Sequence, residues 1–256
     1  MKIAIIGAGN MGSAIAYGLA TGYLGSEEKI MVSNPHNEKL EKLKERFPGI
    51  QTTNDNKEAV RNAGLVILAV KPWKVEEVLK PLHLQRPQIL VSLAAGISIE
   101  QLAHFVDPEM PIFRVIPNTA IAERASMTLI CGRNATEQQS QLLQDLFNEM
   151  GLSIFIREEQ IAAGTALASC GIAFVLKYVQ AAMQAGVEMG LSAKASKQMV
   201  AQTLSGAAAL LLNNDAHPAI EIEKVTTPGG ITIKGLNELE HAGFPDAVIR
   251  AFKVSR

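Results

Sequence analysis

An apolar run, Lys2–Ile6, passes directly into Gly7-Ala8-Gly9-Asn10-Met11-Gly12, after which Ser13–Ala20 takes up helical spacing. This strand–GxGxxG–helix order constrains the fold more than any other feature of the chain. The first glycine permits the tight turn, the second lets backbone meet a pyrophosphate, and the third lets helix pack on strand. A lone GxGxxG says little. One that follows a strand and opens a helix points to dinucleotide binding, with Gly7, Gly9, Asn10, Met11 and Gly12 as candidate contacts. An export signal is not expected, because only Lys2 precedes the run and glycines interrupt it.

A second strand, Lys29–Val32, ends in Ser33-Asn34-Pro35-His36. An NAD site places an acid here, about 20 residues past the glycines, to hold the ribose diol. A hydroxyl and an amide in its place remove repulsion against a 2′-phosphate, so Ser33 and Asn34 favour NADP over NAD; His36 reads as a solvated loop residue. Glu38–Phe47 and Asp55–Asn62 read as helices. Leu65–Val70 is an apolar strand of the buried parallel type, ending in Lys71-Pro72. Ile89–Ala95 ends in Ala94-Ala95-Gly96, and Phe113–Ile116 runs into Pro117-Asn118-Thr119-Ala120. Strand after strand therefore closes on small or polar residues, as expected of one rim facing one ligand. Lys71, at such an end, suits phosphate or structural contact better than acid catalysis. Met127–Cys131 and Ser153–Ile156 read as the last strands, with a helix between them capped by Thr136 and closed by Gly151.

From about Glu158 the strand patterns stop. Ile161–Met189 and Ala195–Leu212 read as long helices, and only Lys177, Glu188, Lys194, Lys197, Asp215 and Glu221 are charged between Ile161 and Glu221. A helix apolar nearly all round must be buried, and about 100 residues cannot bury so much alone. An obligate homodimer with interleaved helices is the expectation. Further on, Val225-Thr226-Thr227-Pro228-Gly229-Gly230-Ile231-Thr232-Ile233 is rich in glycine and hydroxyls. Pro228 suits a helix's first turn. The bare amides of Gly229 and Gly230, with the positive end of the helix dipole, suit a small carboxylate. Thr232 adds a hydroxyl within one turn of it.

Composition narrows the classes. The net charge of −1, with 48% hydrophobic and 19% charged residues over 256, excludes disorder and a nucleic-acid-binding basic face. Cys131 and Cys170 form no metal or redox spacing, and reduced buried thiols in a cytoplasmic protein explain them. No stretch resembles a membrane span. The histidines His36, His83, His104, His217 and His241 sit in no relay or metal pattern.

GAGNMG, Ala69-Val70-Lys71-Pro72, Ser92-Leu93-Ala94-Ala95-Gly96, Arg114-Val115-Ile116-Pro117-Asn118-Thr119, Gln202-Thr203 with Gly206-Ala207-Ala208, and above all Val225–Thr232 together resemble pyrroline-5-carboxylate reductase over nearly the whole chain. The resemblance implies an α/β fold. Residues 1–157 would form a Rossmann NAD(P)-binding domain and 158–256 an all-helical domain for dimerisation and substrate binding, with dimers often joined into rings. It implies reduction of 1-pyrroline-5-carboxylate to L-proline by NADPH or NADH. Cofactor contacts would fall on Gly7 to Gly12, Ser33, Asn56, Ala69, Val70, Lys71, Pro72, Ala95 and Gly96. Thr227, Gly229 and Gly230, with Ile231 beside them, would hold the substrate carboxylate, and Thr232 would stand beside the imine nitrogen. Two departures stand out. Ala168-Ser169-Cys170-Gly171-Ile172-Ala173-Phe174 replaces the usual Ser-Gly-Ser-Gly-Pro-Ala-aromatic, and Ala120 replaces a proline. A protonated C=N acceptor needs orientation more than a strong acid, which agrees with the absence of a catalytic histidine. Two alternatives remain. One is a reductase of another cyclic imine or a hydroxyacid dehydrogenase, for which Lys177 is the only lysine on the long helix. The other is a non-catalytic dinucleotide-binding protein.

Overall fold

The computed structural model describes residues 1–22 and 26–256. The chain divides into two compact units, Met1–Ser169 and Cys170–Arg256. The first is a single eight-stranded sheet in the order β3-β2-β1-β4-β5-β6-β7-β8. Its strands are β1 (Ile3–Ile6), β2 (Ile30–Ser33), β3 (Gln51–Thr53), β4 (Leu65–Leu68), β5 (Ile89–Ser92), β6 (Ile112–Ile116), β7 (Ser126–Arg133) and β8 (Gly151–Phe155). The pairs from β3 to β6 are parallel, β7 runs against β6, and β8 runs with β7. This is the doubly wound order, with its topological switch between β1 and β4.

The central strands are apolar throughout because both their faces are covered. In β1, Ile3 and Ile5 enter one core with Ile15, Leu19, Leu43 and Phe147, while Ala4 and Ile6 enter the other with Leu79, Leu102 and Ile161. The helices supplying the first core are α1 (Asn10–Ala20), α2 (Asn37–Arg46) and α6 (Glu137–Asn148). The second core draws on α3 (Asn56–Val60), α4 (Val75–Leu79), α5 (Ile99–Ala103) and α7 (Ile161–Thr165). Local chemistry fixes the helix starts. Ser98 and Gln101 form a reciprocal capping box on α5, and Thr136 and Gln139 form one on α6.

Two clamps join the chain after β8 to β6 and its extension. Arg114, 7% exposed on β6, donates through Nη1 to Glu158 Oε1 at 2.6 Å, and that oxygen also accepts the Ile99 amide at 2.8 Å. Asn118 Nδ2 donates to the Ala168 carbonyl at 2.9 Å.

The second unit is helical: α8 (Gly171–Glu188), α9 (Ala193–Asn214), α10 (Pro218–Lys224), α11 (Ile231–His241) and α12 (Phe244–Val254). Within it Phe174 and Phe252 meet edge to face at 5.0 Å.

Four expectations need correcting. Gly151 does not close α6, which ends at Asn148. It opens β8 at φ +136°, where a side chain would collide with the Ser126 backbone. The helix expected over Ile161–Met189 is interrupted by a π turn, Ala166–Cys170, where the family motif is altered. Pro228 lies in a turn ahead of α11, not in its first turn. Finally, one helical run, Glu158–Glu188, is long and apolar enough to cross a membrane by length and composition alone.

Candidate active site

In the first unit the parallel strands deliver their carboxyl ends to one edge, and the three glycines divide the labour there. Gly7, at φ +107°, makes the turn out of β1, and a Cβ on it would lie 2.8 Å from the Ala69 carbonyl oxygen. A Cβ on Gly12 would collide with the Gly7 carbonyl oxygen and crowd the Ala69 Cβ, so α1 packs directly on the loop. A Cβ on Gly9 would meet nothing within 4 Å. That open side is where a pyrophosphate can approach. Gly9 also N-caps α1 without a side-chain bond, and no acid stands in the first turn, so the amides of Asn10 and Met11 face an anion unopposed.

Around this loop the end of β2 forms a network. The Gly7 amide donates to the Ser33 carbonyl at 2.7 Å and the Ala8 amide to Asn34 Oδ1 at 3.1 Å. Asn34 Nδ2 donates to the His36 carbonyl at 3.0 Å, and the buried Ser33 hydroxyl donates to Asn56 Oδ1. The carboxamide of Asn34 is therefore engaged at both ends in holding the loop. Asn54, which the sequence reading passed over, donates to the Asn34 carbonyl at 2.9 Å. The polar run Thr52-Thr53-Asn54-Asp55-Asn56 was the available signal. Along the same edge, the Ala69 amide is bonded to Ile6 O at 2.9 Å, carrying Val70, Lys71 and Pro72 out of the sheet beside Gly7. Past β5, Ala95 leads to Gly96, which turns at φ +75° with open space where a side chain would stand. The structure thus gathers the candidate cofactor residues at one edge. Trp73, 75% exposed next to Pro72, went unremarked in the sequence.

Thr227–Thr232 lies in the second unit. Gly230 N donates to Thr227 O at 2.9 Å across Pro228 and Gly229, and Gly229 has φ +71°. Proline followed by a positive-φ glycine at the centre is the type II turn signature. The Gly230 amide is thereby spent, while the Gly229 amide makes no bond among the described residues. Gly230 then N-caps α11 without a side-chain bond, and the first turn of α11 carries no acid. Thr227 and Thr232 are exposed, and their hydroxyls have no partner among the described residues. Lys177 Nζ, on α8, donates to Gln180 Oε1 at 3.0 Å. No group of His, Cys, Asp and Glu suited to a metal occurs among the described residues.

A doubly wound sheet with an open glycine loop at its switch point, fused to an apolar helical unit, defines a dinucleotide-binding oxidoreductase. Residues 2–96 match the family model described as NADP oxidoreductase, coenzyme F420-dependent, and residues 158–256 match that for pyrroline-5-carboxylate reductase dimerisation. Pyrroline-5-carboxylate reductase 2 of Dictyostelium discoideum is 37% identical over 99% of this chain and 90% of its own length. Pyrroline-5-carboxylate reductase 1 of the same organism is also 37% identical over 99% of this chain, which spans 48% of that longer relative. The crystal structure of Plasmodium falciparum pyrroline carboxylate reductase with NADP bound superposes with a TM-score of 0.86 at 28% identity, covering 100% of this chain and 95% of that one. The chain belongs to the pyrroline-5-carboxylate reductase family.

Proposed function

We propose that this chain reduces 1-pyrroline-5-carboxylate to L-proline with NADPH as the preferred reductant, acting as a homodimer in the cytoplasm. Residues 1–157 hold the dinucleotide, and 158–256 supply the dimer contacts and the substrate loop. The observation that carries the reading is the start of α11. Its amides are uncapped, no acid opposes them, and a hydroxyl stands at the second helical position in a chain whose relatives bear this reductase's name.

The open Gly9 side fits a dinucleotide pyrophosphate, and the neutral Ser33–Asn56 pair at the end of β2 fits a 2′-phosphorylated ribose. When bound, the nicotinamide supplies the hydride. Protein groups do the rest by placement. The Gly229 amide and the first-turn amides of α11 hold the substrate carboxylate, with the Thr227 hydroxyl beside them. The Thr232 hydroxyl hydrogen-bonds the ring nitrogen, keeping its proton in place while C5 is reduced. Ile231, 87% exposed in the single chain, forms an apolar wall for the ring.

Steady-state oxidation of NADPH and of NADH with the pyrroline substrate tests this reading. Turnover with both, faster with NADPH, is expected. Absence of turnover with either would remove the activity, and a preference for NADH would remove the cofactor assignment alone.

A further inference from the structure

α4 and α5 both pack on the second core, and a cleft of about 370 Å³ opens between them. Val75, 2% exposed, is its floor. From the α4 side come Pro72 and Trp73, in the 3-10 turn Pro72–Lys74, and Glu76 one turn further on. Trp73 and Glu76, three residues apart, share a helix face. From the α5 side come His104 and Phe105, just past its last residue. Phe105 packs against the second core and is held by it. The Trp73 ring is 75% exposed and meets no other ring or cation among the described residues. His104 Nδ1 donates to the Glu100 carbonyl at 2.7 Å, so Nε2 of the neutral ring is an acceptor.

The charge in this cleft is one-sided. Among the described residues no lysine or arginine lines it, and Glu76 is its one acid. The neighbouring Glu77 is closed by Lys74 Nζ at 2.6 Å, outside the cleft, whereas Glu76 has only Lys80 Nζ, at 3.9 Å. An indole face beside a carboxylate attracts a cation twice over, through the ring quadrupole and through charge. We propose that this cleft binds a small organic ammonium ion, its charge between Trp73 and Glu76 and its apolar body against Phe105 and Val75. The volume lies at the small end of the range for small-molecule sites, which favours a free ligand over a docked protein segment. Only Pro72 is shared with the dinucleotide edge, and the site stands independently of the reductase reading.

Trp73 is the chain's only tryptophan, so its fluorescence reports on the cleft directly. The full chain is titrated with choline chloride and with neohexanol, the uncharged carbon isostere of choline, at an ionic strength held constant with NaCl. A saturable change with choline is expected, with the isostere at least about tenfold weaker. A response that rises linearly with choline, or equal affinity for the isostere, would overturn the proposal. Glu76→Gln should weaken choline binding at least about tenfold while NADPH affinity and melting temperature stay parental. Glu77→Gln removes the same charge outside the cleft and should leave choline affinity unchanged. Parental affinity in Glu76→Gln, or equal weakening in both variants, would count against the site.

Discussion

The Ala8 amide, inside the glycine loop, donates to Asn34 Oδ1 at 3.1 Å across 26 residues of sequence. The residue at the end of β2 thus shapes the phosphate loop as well as standing near the ribose. Asn34→Ala leaves a buried N–H unpaired and should cost about 1–3 kcal/mol of stability. Asn34→Asp keeps the acceptor but adds charge at the ribose end, and should move the NADPH-to-NADH preference about tenfold toward NADH. Thermal melts and cofactor titrations of both variants measure this, and an unchanged preference in Asn34→Asp would remove Asn34 from cofactor selection.

Gly9 and Gly12 separate binding from folding. Gly9→Ala meets no protein atom within 4 Å. It should melt like the parent yet bind NADPH at least about tenfold more weakly, since the added methyl occupies the ligand's side of the loop. Gly12→Ala drives a methyl into the Gly7 carbonyl and should lose about 3 kcal/mol or more in denaturant unfolding. Equal stability of the two variants would contradict this assignment.

Thr232 and Gly230 act on substrate alone in this reading. Thr232→Ala should lower turnover about 10–100-fold, the low end of proton-transfer contributions, with NADPH affinity unchanged and largely restored by Thr232→Ser. A Cβ on Gly230 would lie 2.6 Å from Thr227 Oγ1. Gly230→Ala should therefore raise KM for the pyrroline substrate more than it lowers kcat. Variants with parental kinetics would shift the substrate site elsewhere.

Cys131 is 3% exposed on β7, and burial pushes its thiol up to about 11, partly offset by Arg114 on the paired strand. The neutral thiol is thus favoured by folding. Its contribution is complete below the unfolded value near 9 and is lost as pH rises toward 11, by about 2 kcal/mol. Denaturant midpoints from pH 8 to 11 should fall less steeply in Cys131→Ala than in the parent. Parallel curves would mean that the thiol does not titrate differently on folding.

The glycine loop, the apolar strands and the Thr136 cap were legible because each is a local pattern with one dominant cause. β3 was not: Gln51-Thr52-Thr53 is polar, and only its ladder to β2 makes it a strand. Pro228 was misplaced because proline suits both a helix start and the second position of a turn. The adjacent glycine, free to take φ +71°, decided for the turn. The double use of Asn34, the Arg114–Glu158 pair and the bond from Asn118 to Ala168 join residues 26 to 50 positions apart. No spacing rule reaches that far.

The two bonds that tie Glu158 to Arg114 and Ala168 to Asn118 work together as a vernier. Four residues of chain from Arg114 to Asn118 are matched against ten residues of mixed 3-10, α and π helix from Glu158 to Ala168, and a bond fixes each end. One residue added or removed between the marks would put one of the two bonds out of register with the other. The interval should therefore tolerate substitution but not a change of length.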